Sequence, residues 1–474
     1  MKYARNISFY LVLMFLLSLL CAPALAVEVG SEIQTNTAIE SGCHTLDAAT
    51  SYFGPKTITE NIKTALVYEM NSDTLMYALN ADEKIYPSSL VKILTALIAV
   101  EKGNVETEIV VTQEVLDTVP EYAIIVDIVA GEKMTLADLL HCMMVGSGND
   151  AAAIIATHIS GSQEAFVQEM NAYAKKLGCT ATQFTNVHGL HDENQYSTTR
   201  DMAKILAAAV QNEAFMTYFS AVHYTVPATN KSEQRDLSSG NFLMNKDAVE
   251  IYFDERVKGG RTGIADDGLR CLASVASNDN MELICIITGS ESNFTEEGYT
   301  LTYGGFLETI ALYDAAFNGY KVAQILYADQ ILEQCKISNG VNDVVLGSRT
   351  ALYTVLPVDA TINDIAYRYK NNTQQFEAPI ESGQILTSVE LWYGNLCVGQ
   401  TDLVAMNSVQ AVITQPVDES GTLNRGTVVT IVVVSVIVGV AVLMFIWVKF
   451  SGKLKRFFVK KQKTVRRTTR RRSR

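Results

Sequence analysis

The chain has 474 residues, with 38 Lys and Arg against 51 Asp and Glu, for a formal net charge of −13. That figure averages two populations: residues 449–474 carry 13 basic side chains and no acid, while residues 27–448 hold 23 basic against all 51 acidic ones, a balance of −28. An acidic body argues against nucleic-acid binding by the folded part, which needs basic charge spread over its surface, and 48% hydrophobic with 19% charged residues argues against intrinsic disorder.

Residues 1–26 read as a secretory signal. Lys2 and Arg5 precede the apolar run Phe9–Cys21, and Ala24-Leu25-Ala26 supplies a small-x-small cleavage pattern. Residues 27–50 are polar and rich in Ser and Thr, as a linker would be. Thr64–Glu69 and Leu75–Leu79 alternate around Asn71-Ser72-Asp73 and predict a β-hairpin. A helix is expected to begin near Pro87 and run through Leu90–Ile98, apolar nearly all round and therefore buried. Helical spacing returns at Leu136–Met144, Asp150–Ile159, Gln163–Leu177 and Thr199–Gln211.

Residues 257–264, 269–276 and 281–289 then read as strands, joined by Asp266-Asp267-Gly268 and Asn278-Asp279-Asn280, so an antiparallel meander follows. Strands at both ends with helices between predict an α+β domain over residues 51–318. Residues 319–412 carry short β-rich stretches between turns and predict a small all-β domain, followed by a juxtamembrane linker at 413–427. Val428–Val448 is a run of 21 residues without charge, long enough to cross about 30 Å of hydrocarbon. The basic tail 449–474 directly after it predicts a cytoplasmic C-terminus and an extracytoplasmic body.

Seven cysteines remain after the signal, an odd number with no C-x-x-C pair, so neither a zinc ribbon nor a full disulfide framework is suggested. Cys142, Cys271 and Cys285 lie in apolar runs and read as core thiols. There is no H-E-x-x-H, and His188 and His191 flank Gly189 in a loop-like stretch better suited to a structural role than to metal binding.

Three short motifs carry chemistry. In Ser89-Leu90-Val91-Lys92, a spacing of three puts serine and lysine on one helical face. A serine needs a base to become a nucleophile, and a lysine in a buried apolar helix loses solvation, so its neutral form becomes available. Ser147-Gly148-Asn149 falls between two helical stretches and can present a hydroxyl and an amide; alone it is a helix-linking turn with Asn149 or Asp150 as N-cap. Arg261-Thr262-Gly263 lies on the first meander strand, with a charge and a hydroxyl suited to a carboxylate, and a glycine that permits close backbone approach.

In this order and context the three motifs resemble the S-x-x-K, S-D-N and K-T-G set of penicillin-binding proteins and class A β-lactamases. The chain is similar to the low-molecular-weight penicillin-binding proteins, the serine-type D-alanyl-D-alanine carboxypeptidases. The likeness extends over Tyr86–Lys92, Met144–Ala152, Phe184–Leu190 and Tyr196–Ala203, and covers roughly residues 55–318. It implies a β-lactamase/transpeptidase-like fold, a small β domain and a membrane anchor.

It also implies a mechanism. Lys92 deprotonates Ser89, and Ser89 attacks the penultimate D-Ala carbonyl of a peptidoglycan stem peptide. Ser147 passes a proton to the leaving amine, and Asn149 orients Lys92 and the substrate. Arg261 and Thr262 hold the terminal carboxylate, and water hydrolyses the acyl-enzyme. β-Lactams are expected to acylate Ser89, and no metal or other cofactor is expected. Arg261 stands where the family usually has Lys, which keeps the charge but changes shape. A β-lactamase or D,D-endopeptidase on the same fold, and a non-catalytic wall-binding protein, are the alternative readings.

Overall fold

The computed structural model describes residues 62–412, apart from 266–267, 295–299, 303 and 371–374, together with 430, 433–444 and 447. The expected signal, linker and basic tail lie outside the described residues, as do all of 413–427 and part of 428–448. The second meander turn, at Asn278-Asp279-Asn280, is described; Asp266 and Asp267 of the first are not.

A five-stranded antiparallel sheet organises the larger domain. It contains β1 (Thr64–Glu69), β2 (Thr74–Leu79) and, far along the chain, β7 (Val257–Ile264), β8 (Arg270–Ser277) and β9 (Glu282–Ser290), in the order β2-β1-β9-β8-β7. The predicted hairpin and meander are both present, and β1 pairs with β9 to join them. Every residue of β1 is buried, because both faces of the sheet are covered. Leu66, Tyr68, Ile284 and Ile286 face the helices, whereas Ala65, Val67, Leu283 and Cys285 face a terminal helix, Phe306–Gly319. The period-two alternation of the strands thus sorts their side chains between two cores.

The helical layer consists of α1 (Val91–Lys102), α2 (Leu136–Met144), α3 (Asn149–Ser160), α4 (Gln163–Lys176), α5 (Thr199–Val210) and the short α6 (Glu213–Phe219). Residues Val91–Ala99 of α1 are all buried, as its all-round apolarity requires. Thr135 and Asp138 form a capping box on α2, which fixes its start. Asn149 is the first residue of α3 and Gly148 its N-cap, one position earlier than the sequence suggested. Sequence reasoning did not identify the terminal helix, the short antiparallel pair β3 (Glu108–Val110) and β4 (Lys133–Thr135), or the hairpin of β5 (His223–Val226) and β6 (Arg235–Ser238). Cys142, Cys271 and Cys285 are buried thiols.

Residues 320–409 form the smaller all-β domain, a five-stranded antiparallel sheet with an additional strand pair around Ile325, Leu346, Val389, Leu391 and Leu403. Its strands at Val344–Ser348, Leu352–Pro357, Ile385–Tyr393 and Leu396–Ala405 contain or overlap the β-rich stretches that the sequence offers at Asp343–Leu346, Ala351–Val355, Ser388–Trp392 and Leu396–Val398. In a separate compact unit, residues 433–444 are helical with exposed apolar side chains such as Val434, Ile437 and Leu443. No helix among the described residues is long and apolar enough to cross a membrane.

Candidate active site

The chain enters α1 through a 3-10 turn, Ser88–Leu90, rather than directly at Pro87. Ser88 has φ of +50°, in the left-handed region, so a regular helix cannot start there. Its hydroxyl donates to the Ile264 carbonyl at 2.6 Å, tying the turn to β7 at the sheet edge. The turn is also pressed between two glycines. A Cβ on Gly189 would lie 1.9 Å from the Ser88 carbonyl oxygen, and one on Gly263 would lie 3.1 Å from both Ser88 Oγ and Ser89 N. A side chain at Gly263 would therefore press on the turn that carries Ser88 and Ser89.

Lys92 is fully buried one turn after Ser89. Its Nζ donates to Asn149 Oδ1 at 2.7 Å, to the His188 carbonyl at 2.7 Å and to Ser89 Oγ at 3.3 Å. Burial, reinforced by the nearby Arg261 charge and only partly opposed by Asp150, holds its amine well below the ordinary lysine value. As an ammonium Nζ can donate to all three; as a neutral amine it has two N–H donors and one lone pair. With the two short contacts taking the donors, the lone pair is left for the Ser89 proton.

Asn149 is held so that its oxygen faces Lys92. Its backbone N–H and its Nδ2 both donate to the Ile124 carbonyl at 2.9 Å. Ser147 sits in the turn between α2 and α3 with φ of +61°. Arg261 extends from β7 and is only 4% exposed. Its Nη2 donates to Ser147 Oγ at 2.6 Å, its Nη1 to the Met144 carbonyl at 2.8 Å, and its Nε to the Ser89 carbonyl at 3.3 Å. Burial lowers its guanidinium to about 10, which leaves it charged at neutral pH. The sequence assigned Arg261 to the substrate carboxylate; in the structure its guanidinium points inward and braces Ser147 and the Ser88–Leu90 turn. Thr262 is partly exposed beside it.

All seven predicted residues therefore meet, with Ser89, Ser147, Asn149, Arg261, Thr262 and Gly263 lining one cleft of about 480 Å³ and Lys92 beneath it. Sequence reasoning missed Ser88, the His188 carbonyl and the loop that carries Tyr122 and Ile124 onto the cleft rim. The Ser88 hydroxyl gave no sequence signal. Phe184–Leu190 did stand out in the sequence, although its part in the site is played by the backbone of His188.

The arrangement suits acyl transfer through a serine. The profile of the D-alanyl-D-alanine carboxypeptidase family matches residues 53–292, and that of the C-terminal domain of penicillin-binding protein 5 matches residues 320–411. Among curated relatives, D-alanyl-D-alanine carboxypeptidase DacF of Bacillus subtilis is 28% identical over 339 residues, 70% of this chain and 82% of that protein. D-alanyl-D-alanine carboxypeptidase DacA of Haemophilus influenzae is 29% identical over 358 residues, 73% and 85% respectively. The structure of penicillin-binding protein 5 from Haemophilus influenzae superposes with a TM-score of 0.61 at 26% identity, covering 76% of this chain and 99% of that one. With these likenesses over both domains, the chain belongs to the D-alanyl-D-alanine carboxypeptidase family and is a serine D-Ala-D-Ala carboxypeptidase of the low-molecular-weight penicillin-binding type.

Proposed function

We propose that Ser89 is the nucleophile and Lys92 the general base of this carboxypeptidase, acting on peptidoglycan stem peptides that end in D-Ala-D-Ala. The observation that carries the assignment is the three-way hold on Lys92 Nζ, which leaves a desolvated amine one hydrogen bond from Ser89 Oγ. Ser89 attacks the penultimate D-Ala carbonyl as its proton passes to Lys92. The oxyanion is received by the N–H groups of Ser89 and Ile264.

Ser147 lies where Arg261 can polarise its hydroxyl, and it passes a proton to the departing D-Ala amine. Asn149 sets the orientation of Lys92. Thr262 and Gly263 present the β7 edge to the substrate, with Thr262 and the Arg261 charge attracting its terminal carboxylate. Water then cleaves the ester and regenerates Ser89. A β-lactam follows the same path as far as the acyl-enzyme. D-Ala release from a pentapeptide by the full chain in detergent tests this reading, with Ser89→Ala expected to release none.

The same reading divides the chain into a catalytic domain at 51–318, a β domain at 319–412, a linker at 413–427 and a single span at 428–448. A signal at 1–26 exports the body, and the tail 449–474 stays in the cytoplasm. Supporting it are the uncharged run, the 13 basic residues after it and the outward-facing apolar side chains of 433–444. Protease added outside spheroplasts should remove the body and spare an epitope fused to the tail; loss of that epitope would overturn the topology.

A further inference from the structure

Asp150 is a buried carboxylate that the mechanism above does not use. It follows Asn149 in α3, yet its carboxylate faces the loop rimming the cleft. Oδ1 and Oδ2 accept from Val126 N–H at 3.2 and 3.1 Å, and Oδ2 accepts from Ile128 N–H at 3.3 Å. Its own helix contributes one more donor, Ala151 N–H at 2.9 Å. Gly148 leaves room for this grip, because a Cβ there would lie 2.6 Å from Asp150 Oδ1 and 2.9 Å from Val126 Cγ2. From the far side, Arg235 Nη1 donates to the Asp127 carbonyl at 3.1 Å and Nη2 to buried Glu132 at 2.5 Å.

The gripped loop has one task that reaches the chemistry. Two residues before Val126, the Ile124 carbonyl accepts both the N–H and the Nδ2 of Asn149. That double contact fixes which end of the Asn149 amide faces Lys92. If the loop slackens, the amide is free to turn and offer its NH₂ to Lys92, which costs the amine an acceptor and competes for its lone pair.

We propose that Asp150 is a positioning residue for acyl transfer: by holding Val126 and Ile128 it keeps the Ile124 carbonyl on Asn149, and so keeps Asn149 Oδ1 on Lys92. This rests on the Ser89–Lys92 reading. Lys92 is also faced by Arg261 from β7 and by His188, so among the described residues Asp150 is the anion that opposes the Arg261 charge at Lys92. Removing that charge favours the neutral amine.

The test is pre-steady-state acylation of the full chain in detergent by a fluorescent penicillin, for wild type, Asp150→Asn and Asp150→Ala, across pH. Rates are divided by the fraction of molecules that finally label, which separates slow sites from unfolded ones. Both variants should lose about 10- to 100-fold in the acylation rate at saturating penicillin, in the range of a misplaced catalytic group. Half-saturation should change less than about threefold, and the acid limb should move to lower pH. Wild-type rates per labelled molecule, or an unmoved acid limb, would overturn the proposal; so would a loss confined to half-saturation. Asp150→Asn preserves side-chain volume and keeps the test decisive if Asp150→Ala does not fold. A wild type that takes up no penicillin would instead overturn the Ser89 reading itself.

Discussion

Arg261 donates a 2.6 Å hydrogen bond to Ser147 Oγ, and through the same guanidinium it reaches the carbonyls of Met144 and Ser89. One planar cation therefore spans three segments: the end of α2, the turn after it and the nucleophile turn. A lysine ammonium carries charge at a single atom and does not span the same acceptors. The brace explains how an arginine occupies a place that the sequence resemblance gives to lysine.

Arg261→Ala should therefore lose far more acylation than Arg261→Lys. Alanine leaves three acceptors without their donor, the buried Met144 carbonyl among them, and removes a charge, with an expected loss of about 10³-fold, whereas lysine should lose about 10-fold. Equal losses in the two variants, measured as penicillin acylation rates, would show that the charge is not what matters.

The depressed Lys92 amine has a thermodynamic consequence whose sign is fixed. An unfolded lysine keeps its proton up to about 10.5, while the folded one gives it up well below that value. Between the two, the unfolded chain binds more protons, so Lys92 burdens stability there and the burden shrinks as pH rises. Wild-type stability relative to Lys92→Met should therefore increase from pH 7 towards pH 10 in paired urea titrations. A difference independent of pH would mean that the amine stays protonated in the folded state.

His141 gives the opposite kind of test, away from the chemistry. It stacks on Tyr224 with ring centroids 3.7 Å apart, and burial pulls its imidazole down to about 4, against the pull of Asp138. His188 is pulled down to about 3 by burial and by Lys92. Both histidines are neutral when folded and take protons near 6.5 when unfolded, so stability is full above pH 6.5 and is lost as pH falls towards 4. Each contributes a slope of at most about 1.4 kcal/mol per pH unit. His141→Phe keeps a stacked ring and should remove up to half of that acid slope; an unchanged slope would exclude His141 as a source.

Gly189 has φ of +87°, and a Cβ there would overlap the Ser88 carbonyl. Relief would require moving the backbone of the nucleophile turn. Gly189→Ala should cost at least about 2 kcal/mol in stability. Any folded fraction should acylate slowly, because the displaced turn carries Ser89. Normal acylation with normal stability would mean the turn is more yielding than its packing indicates.

Much of this site was legible in the sequence because its chemistry is local. Ser89 and Lys92 sit three apart, and Ser147-Gly148-Asn149 and Arg261-Thr262-Gly263 are contiguous. The apolar runs of β1, β8, β9 and α1 gave the elements that bring the motifs together. What stayed hidden is non-local. The Ile124 carbonyl reaches Asn149 across 25 residues, and Ser88 reaches Ile264 across 176. No spacing rule announces a backbone acceptor. The direction of Arg261 depends on acceptors supplied by α2 and the nucleophile turn, which no strand pattern reveals. The helix Phe306–Gly319 does place its buried residues at 306, 309, 312, 313 and 316, but exposed Leu307 and half-buried Ile310 blur that stripe.

The central claim is that Ser89 becomes acylated because Lys92 lies neutral beside it. Intact-protein and peptide mass spectrometry of the full chain after brief exposure to a penicillin tests both halves at once. Wild type should gain one penicilloyl adduct, mapped to the peptide containing Ser89; Ser89→Ala should gain none, and Lys92→Met should gain it at least about 10³-fold more slowly. An adduct on another residue, or acylation of Lys92→Met at the wild-type rate, would contradict the account.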